Sequence, residues 1–395
     1  MIPSNLINAA LVGIDFGKID FEASLEELSL LAQSAGANPL VTLTGRRSSP
    51  DAKMFVGSGK AEELRLACEA NDIELVIFNH ALAPAQQRNL EQALNRRVID
   101  RTSLILDIFA QRARSHEGKL QVELAQLQYL STRLIRAWTH LERQKGGIGL
   151  RGPGETQLET DRRLIGERIK ALKTRLEKLR RQHGTQRRAR SRNQTMSVSL
   201  VGYTNAGKST LFNALTKAQA YAADQLFATL DTTSRRVYLG DEVGQVVVSD
   251  TVGFIRELPH QLVAAFRATL EETIHADLLL HVVDASSAVR LDQIDQVNEV
   301  LHAIGADTIR QVLVFNKIDA VPELAARGDA VERDEYGNIS RVFLSARTGQ
   351  GLDTLRAAIA EIATAESLPD TLVDQSEEDR SAAPRDDHKV TELGH

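Results

Sequence analysis

The stretch Gly202-Tyr203-Thr204-Asn205-Ala206-Gly207-Lys208-Ser209 constrains this chain more than any other. It fits G-x-x-x-x-G-K-[ST], a loop that cradles phosphates. Its flanks suit the motif. Met196-Ser197-Val198-Ser199-Leu200-Val201 alternates like a short buried strand, and Thr210-Leu211-Phe212-Asn213-Ala214-Leu215 carries apolar residues at helical spacing. Strand, loop and helix in that order turn backbone N–H groups and the positive end of a helix toward an anion. Gly202 and Gly207 let the backbone approach a phosphate with no side chain in the way. Lys208 is placed to reach the β- and γ-phosphates, and the Ser209 hydroxyl to hold Mg2+.

A lone match could be a chance turn, but four further elements follow in order. Phe227-Ala228-Thr229-Leu230-Asp231 puts a threonine in a loop, where it can ligate Mg2+ and sense the γ-phosphate. Gln245-Val246-Val247-Val248-Ser249-Asp250 reads as a strand ending on a carboxylate. In Asp250-Thr251-Val252-Gly253 the acid can hold Mg2+ through water and the glycine N–H can meet the γ-phosphate. Two apolar strands follow, at 278–284 and 311–315, and the second delivers Asn316-Lys317-Ile318-Asp319. The Asp319 carboxylate can accept from guanine N1–H and the exocyclic amine, whereas adenine N1 is an acceptor and is repelled. Ser345-Ala346-Arg347 ends a last strand, where a backbone N–H can support the guanine oxygen. All of these fall at strand ends, where open α/β sheets bind ligands.

The rest of the 395-residue chain adds three regions. Residues 1–110 read as a small α/β domain: a strand at 8–14, a helix at 24–35 capped by Ser24 with Glu27 three residues on, a strand at 75–78 and a helix at 84–95. Within it, Gly57-Ser58-Gly59-Lys60 imitates a phosphate loop, but Met54 stands where the first glycine belongs and Ala61 follows the lysine. It is expected to be a tight turn opening a helix. Residues 111–195 carry two apolar stripes at 4-3 spacing, Leu120, Leu124, Leu127, Leu134, Trp138, Leu141 and then Ile165, Ile169, Leu172, Leu176, Leu179. They predict an antiparallel helical hairpin with arms on the order of 40 Å. Its tip, 146–154, holds five glycines flanked by Arg143, Lys145 and Arg151. Between 168 and 192 stand eleven Lys or Arg against one acid, Glu177. A solvated helix face mixes signs, so this run favours a phosphodiester partner. Aromatic residues are scarce there, which favours backbone and shape contacts with folded RNA over base stacking. The nucleotide domain spans 196–364, and 365–395 reads as a disordered acidic tail.

Charge and cysteine content exclude more than they assign. The tail from 366 onward carries nine acids and three bases, a net of −6; subtracting that from the chain's −5 leaves +1 for the body. A single cysteine, Cys68, rules out an internal disulfide and a cysteine-built metal cluster. No run approaches membrane-spanning length and no signal-peptide pattern opens the chain. A cytoplasmic location is expected, with peripheral membrane association left open.

The combination GYTNAGKS, FATLD, DTVGFIRELPH and NKID resembles the HflX family of the Obg–HflX group of translation-factor-class GTPases. The stretch GGIGLRGPGETQLETDRR at 146–163 is more specific still, and GSGK at 57–60 fits the family's N-terminal domain. The resemblance spans residues 1–364. It implies a monomeric GTPase that binds the large (50S) ribosomal subunit, hydrolyses GTP to GDP, and acts in ribosome splitting, rescue or assembly. It implies phosphate contacts from the eight residues at 202–209, Mg2+ on Ser209 and Thr229, and nucleotide contacts at 227–231 and 250–253. Guanine contacts are implied at 316–319 and 345–347. Hydrolysis is expected to rest on Lys208, Thr229, Asp250, Gly253 and Asn205. Asn205 matches an asparagine that coordinates K+ in related GTPases. Phe254 stands where the best-known small GTPases place a water-orienting glutamine, so turnover is expected to be slow without a partner. Arg256 and His260 lie in the same segment, as candidate γ-phosphate groups or as solvated loop residues. The rival readings are a GTP-sensing scaffold and a GTP-fuelled RNA-remodelling enzyme that does not act on the ribosome.

Overall fold

The computed structural model describes residues 6–17, 20–144, 153–191, 195–216, 226–227, 229–241, 243–256, 270–327 and 330–367. The first unit is a four-stranded sheet of β1 (Ile7–Asp15), β2 (Ala37–Arg46), β3 (Leu75–Phe78) and β4 (Arg97–Asp100), all parallel in the order β2-β1-β3-β4. Ala9, Ala10, Leu11 and Val12 are all buried. Such continuous burial is what a parallel strand covered on both faces requires. One face packs on α1 (Phe21–Ser34) and α4 (Arg101–Arg112), the other on α2 (Ser58–Ala70) and α3 (Pro84–Leu94). Helix α1 starts earlier than its sequence suggests, because Phe21 and Leu25 lie over Gly13 of β1 and extend the apolar face by a turn. Ser24 is therefore inside the helix, bonded by Asn79 at 2.8 Å, and is not its cap. Glu27 is buried and turns toward other partners.

Two long helices follow, α5 (His116–Gln144) and α6 (Pro153–Ser191). Leu120, Leu124 and Leu127 of α5 pack against Ile169, Leu172, Leu176 and Leu179 of α6. The second arm has 39 residues, about 58 Å at 1.5 Å per residue, and is longer than the stripe alone implies. It begins at Pro153, so Pro153 and Gly154 belong to the helix and not to the tip; proline suits a first helical turn. Tip residues 145–152 lie outside the described residues. The hairpin base is fastened to the first sheet. The Tyr129 hydroxyl donates to Asp100 at 2.7 Å, and Arg133 pairs with the same carboxylate while stacking over the Tyr129 ring. Tyr129 is thereby committed to packing.

The third unit is a seven-stranded sheet in the order β10-β11-β9-β8-β5-β7-β6. Its strands are β5 (Ser197–Gly202), β6 (Thr233–Tyr238), β7 (Gln245–Asp250), β8 (Leu278–Asp284), β9 (Arg310–Asn316), β10 (Ala330–Arg333) and β11 (Ile339–Phe343). Edge strands β6 and β10 run antiparallel to their neighbours and the rest are parallel. Among the described residues, helices α7 (Lys208–Thr216), α8 (Glu271–Ile274), α9 (Arg290–Ile304), α10 (Pro322–Arg327) and α11 (Leu352–Ser367) accompany it. Helix α11 continues to Ser367, past the predicted start of the tail; 368–395 lie outside the described residues. Among the described residues no helix is long and apolar enough to cross a membrane.

Candidate nucleotide-binding site

The loop joining β5 to α7 needs its glycines. Gly202 has φ 145° and a Cβ there would sit 2.3 Å from the Val282 carbonyl oxygen; Gly207 has φ 93° and a Cβ would meet Asn316 Nδ2 at 2.2 Å. Asn205 takes the left-handed conformation at φ 61° and is exposed, a conformation asparagine tolerates well. The Lys208 ammonium is buried and donates to two carbonyls of its own loop, Gly202 at 3.0 Å and Tyr203 at 2.8 Å. Burial pushes its pKa down to about 8, against the pull of nearby Asp250.

Three oxygens converge behind the lysine. The Ser209 and Thr229 hydroxyls lie 2.7 Å apart, and both donate to Asp250 Oδ2, at 2.7 and 2.9 Å. Burial raises the Asp250 pKa, partly offset by the two hydroxyls and Lys208. Two hydroxyls and one carboxylate are hard oxygen ligands, the donor set that Mg2+ uses when phosphates and water complete its shell. These residues fit that ion.

Residues 253–256 lie against the loop. The Phe254 N–H donates to the Gly202 carbonyl at 3.1 Å, the Thr204 N–H to the Phe254 carbonyl at 2.7 Å, and the Arg256 N–H to the Tyr203 hydroxyl at 2.8 Å. A Cβ on Gly253 would fall 2.7 Å from Thr204 Cγ2, so only glycine brings this backbone so close to the loop. The Phe254 side chain is buried in the core. On the guanine side, Asn316 donates to the Ala206 carbonyl and accepts from the Ala346 N–H, each at 2.9 Å, tying the phosphate loop to the last one. Lys317 pairs with Asp284 at 2.8 Å, while Asp319 is exposed on a short 3-10 turn, Ile318–Ala320. Ser345 is buried and Arg347 exposed.

Several predicted contact residues turn their side chains elsewhere. Thr251 donates to the Leu200 carbonyl, and Val252, Leu230 and Phe227 are in the core. Phe227 meets Phe109 of α4 edge-on at 4.6 Å. Any contact these make with a nucleotide is through the backbone. Ala228 and His260 lie outside the described residues. Arg256 is neither solvated nor beside the loop lysine; its guanidinium reaches Asp20 at 2.7 Å and approaches Glu27 at 4.0 Å. Asp231 turns away from the nucleotide loop altogether. Its carboxylate accepts from the Arg114 N–H at 2.9 Å, the Ser115 N–H at 2.8 Å and the Ser115 hydroxyl, at the start of α5. A Cβ on Gly118 would lie 2.2 Å from this carboxylate.

Residues invisible to sequence reasoning therefore surround the site. Glu27 accepts from the Tyr203 hydroxyl through one oxygen and from Arg101 through the other. The sole sequence signal for the α5 contact was Gly118, a glycine in the first turn of an otherwise strongly patterned helix.

Residues 22–110 match a GTP-binding GTPase N-terminal family, 112–190 a GTP-binding GTPase middle region, and 197–317 a family described as 50S ribosome-binding GTPase. The GTPase HflX of Escherichia coli is 56% identical over 364 residues, covering 92% of this chain and 84% of its own. That of Magnetococcus marinus is 52% identical over 334 residues, covering 84% and 76%. A crystal structure of SsGBP in complex with GDP aligns with TM-score 0.51 and 26% identity over 92% of this chain and all of that one. Guanine nucleotide binding and hydrolysis go with that kinship: the chain belongs to the HflX family of GTPases.

Proposed function

We propose that the chain is a cytoplasmic, monomeric GTP-driven switch whose helical hairpin grips the RNA of the large ribosomal subunit. One observation carries the coupling. Asp231, two residues beyond Thr229, braces the cap of the first hairpin helix: it accepts from the Arg114 and Ser115 N–H groups and from the hydroxyl of Ser115, whose oxygen in turn accepts from the Gly118 N–H at 2.8 Å. A carboxylate beside a helix N-terminus meets the positive dipole, for about 0.3–1 kcal/mol at an exposed site. In this reading Thr229 stays at Ser209 while a third phosphate is present, Asp231 stays with it, and the hairpin is held at a fixed angle. Hydrolysis releases the pair.

Within the site, Lys208 leaves its two carbonyls for the phosphates, and the loop N–H groups from Asn205 to Ser209 surround them, while the Thr204 N–H stays on the Phe254 carbonyl. Ser209 and Thr229 would hold Mg2+, with Asp250 acting through water, and the ion would supply charge neutralisation at the phosphates. Asp319 selects guanine, with 345–347 supporting the base. Asn205 faces solvent beside the loop and is the candidate K+ ligand; equal turnover in K+ and Na+ would remove that role. Phe254 offers no water-orienting group, so the ribosome would complete the site.

Ribosome binding is supported by the family's description and by the exposure of Arg168, Lys170, Lys173, Arg175, Lys178 and Arg181 along α6. The test is co-sedimentation with 50S subunits in GTP analogue or GDP across a salt series. The expected result is retention with the analogue that falls steeply with salt, as counterion release demands. Retention indifferent to nucleotide would sink the switch. In parallel profiles that start from intact 70S particles, their loss would favour splitting or rescue over assembly.

A further inference from the structure

We propose that Tyr203 is a positioning residue for GTP hydrolysis, fastening 253–256 to the phosphate loop through its hydroxyl, with Glu27 of the first unit holding that hydroxyl in place. The position is a free one in the loop motif, where a phenylalanine would fill the same space. The hydroxyl is nonetheless buried and fully used: it accepts from the Arg256 N–H at 2.8 Å and donates to Glu27, 176 residues away in sequence. Glu27 is fixed in turn by Arg101, whose other nitrogen donates to Asn79 at 3.0 Å.

Three hydrogen bonds bind 254–256 to 202–204, and the Tyr203 hydroxyl supplies the outermost. Inside that clamp lies Gly253, whose absent Cβ would sit 2.9 Å from Thr204 Cα and 3.1 Å from Lys208 Nζ. The clamp thus sets where the Gly253 N–H stands relative to a third phosphate. Without the hydroxyl, a buried N–H loses its acceptor and the segment is free to drift. A shift of about 1 Å at a reacting centre can cost on the order of 100-fold in rate. Burial and Glu27 both drive the Tyr203 pKa far above its ordinary value, so the phenol neither gains nor loses a proton during turnover. Its part is to hold geometry. Docking of the first unit is thereby read directly in the hydrolytic step.

This inference rests on Gly253 meeting the third phosphate. The experiment measures steady-state GTP hydrolysis and GDP binding by the full chain carrying Tyr203→Phe, Glu27→Gln, both together, or Gly253→Ala. Tyr203→Phe is expected to lower kcat about tenfold with KM and GDP affinity within about twofold of the parent. Glu27→Gln should lower kcat less, and the double variant should match Tyr203→Phe alone, because both act through one hydroxyl. A pH–rate profile unchanged in shape separates positioning from proton transfer. Should Tyr203→Phe fail to fold, Glu27→Gln, which touches no nucleotide, carries the test. An unchanged kcat, a loss confined to KM, or multiplicative effects in the double variant would overturn the role of Tyr203. An active Gly253→Ala would instead overturn the placement of Gly253 on which it rests.

Discussion

Lys60 and Lys208 both open helices behind a positive-φ glycine, Gly57 at 83° and Gly207 at 93°. They differ in company. Lys60 is bonded at 3.0 Å to both oxygens of Glu63, one turn along its own helix, and the space a Cβ on Gly57 would need is filled by the Arg47 guanidinium at 2.6 Å. Lys208 has only neutral carbonyls for partners. An exposed i,i+3 pair such as Lys60–Glu63 contributes about 0.3–0.5 kcal/mol and leaves no charge for a ligand. Burying Lys208 lowers its pKa from 10.5 to about 8, a cost of roughly 3 kcal/mol that an arriving phosphate can return. A phosphate site is thus marked by a buried cation hydrogen-bonded only to neutral carbonyls more than by glycine and lysine in sequence.

Replacing each lysine by alanine gives the largest contrast. Lys208→Ala should depress GTP hydrolysis on the order of 1000-fold or more, while Lys60→Ala should leave it within about twofold. Comparable losses from both would erase the distinction between the loops. Next in size is base choice. Behind Gly207 stands Asn316, which leads to Asp319; behind Gly57 stands only Arg47. Competition binding with Asp319→Ala should weaken GTP on the order of 100-fold and erase its advantage over ATP.

A smaller effect follows from protonation. Free Lys208 loses its proton above pH about 8, and a bound phosphate favours the charged form, so binding takes up a proton there. GTP affinity should fall toward about tenfold per pH unit above 8, and be flat just below it. For the nucleotide-free fold the sign reverses: the unfolded chain holds this proton up to about 10.5, so stability rises with pH between 8 and 10.5. Calorimetric titration and thermal melts across pH 7–10 check both. Smallest is the cap. Asp231→Asn keeps the shape but weakens three hydrogen bonds and removes the charge, which should shrink the difference in 50S retention between GTP analogue and GDP about fivefold.

Much of the architecture was legible because local signals agreed. The β5 loop, the carboxylate closing β7 and the Asn316–Asp319 run all lie at strand ends of one sheet, and motif spacing alone fixes that. The stripes of α5 and α6 gave their mutual packing from Leu120 to Leu127 for the same reason, while the side chains of Leu134, Trp138 and Leu141 lie outside the described ones. What escaped was long-range. Glu27 looked like a capping residue because the residues at 24–27 spell a capping box, and only Phe21 over Gly13 shows that the helix begins earlier. Asp231 and Tyr203 carry the marks of nucleotide residues, yet their side chains serve contacts with residues over a hundred positions away. β2 was missed because much of it is only partly buried, with no clean alternation to betray it.

The coupling between phosphate and hairpin is tested most directly by amide hydrogen exchange at Arg114 and Ser115, whose N–H groups end on Asp231. With a non-hydrolysable GTP analogue both amides should be protected, and with GDP they should exchange about tenfold faster as the carboxylate leaves. Equal exchange in the two states would mean that the third phosphate does not reach the hairpin through Asp231.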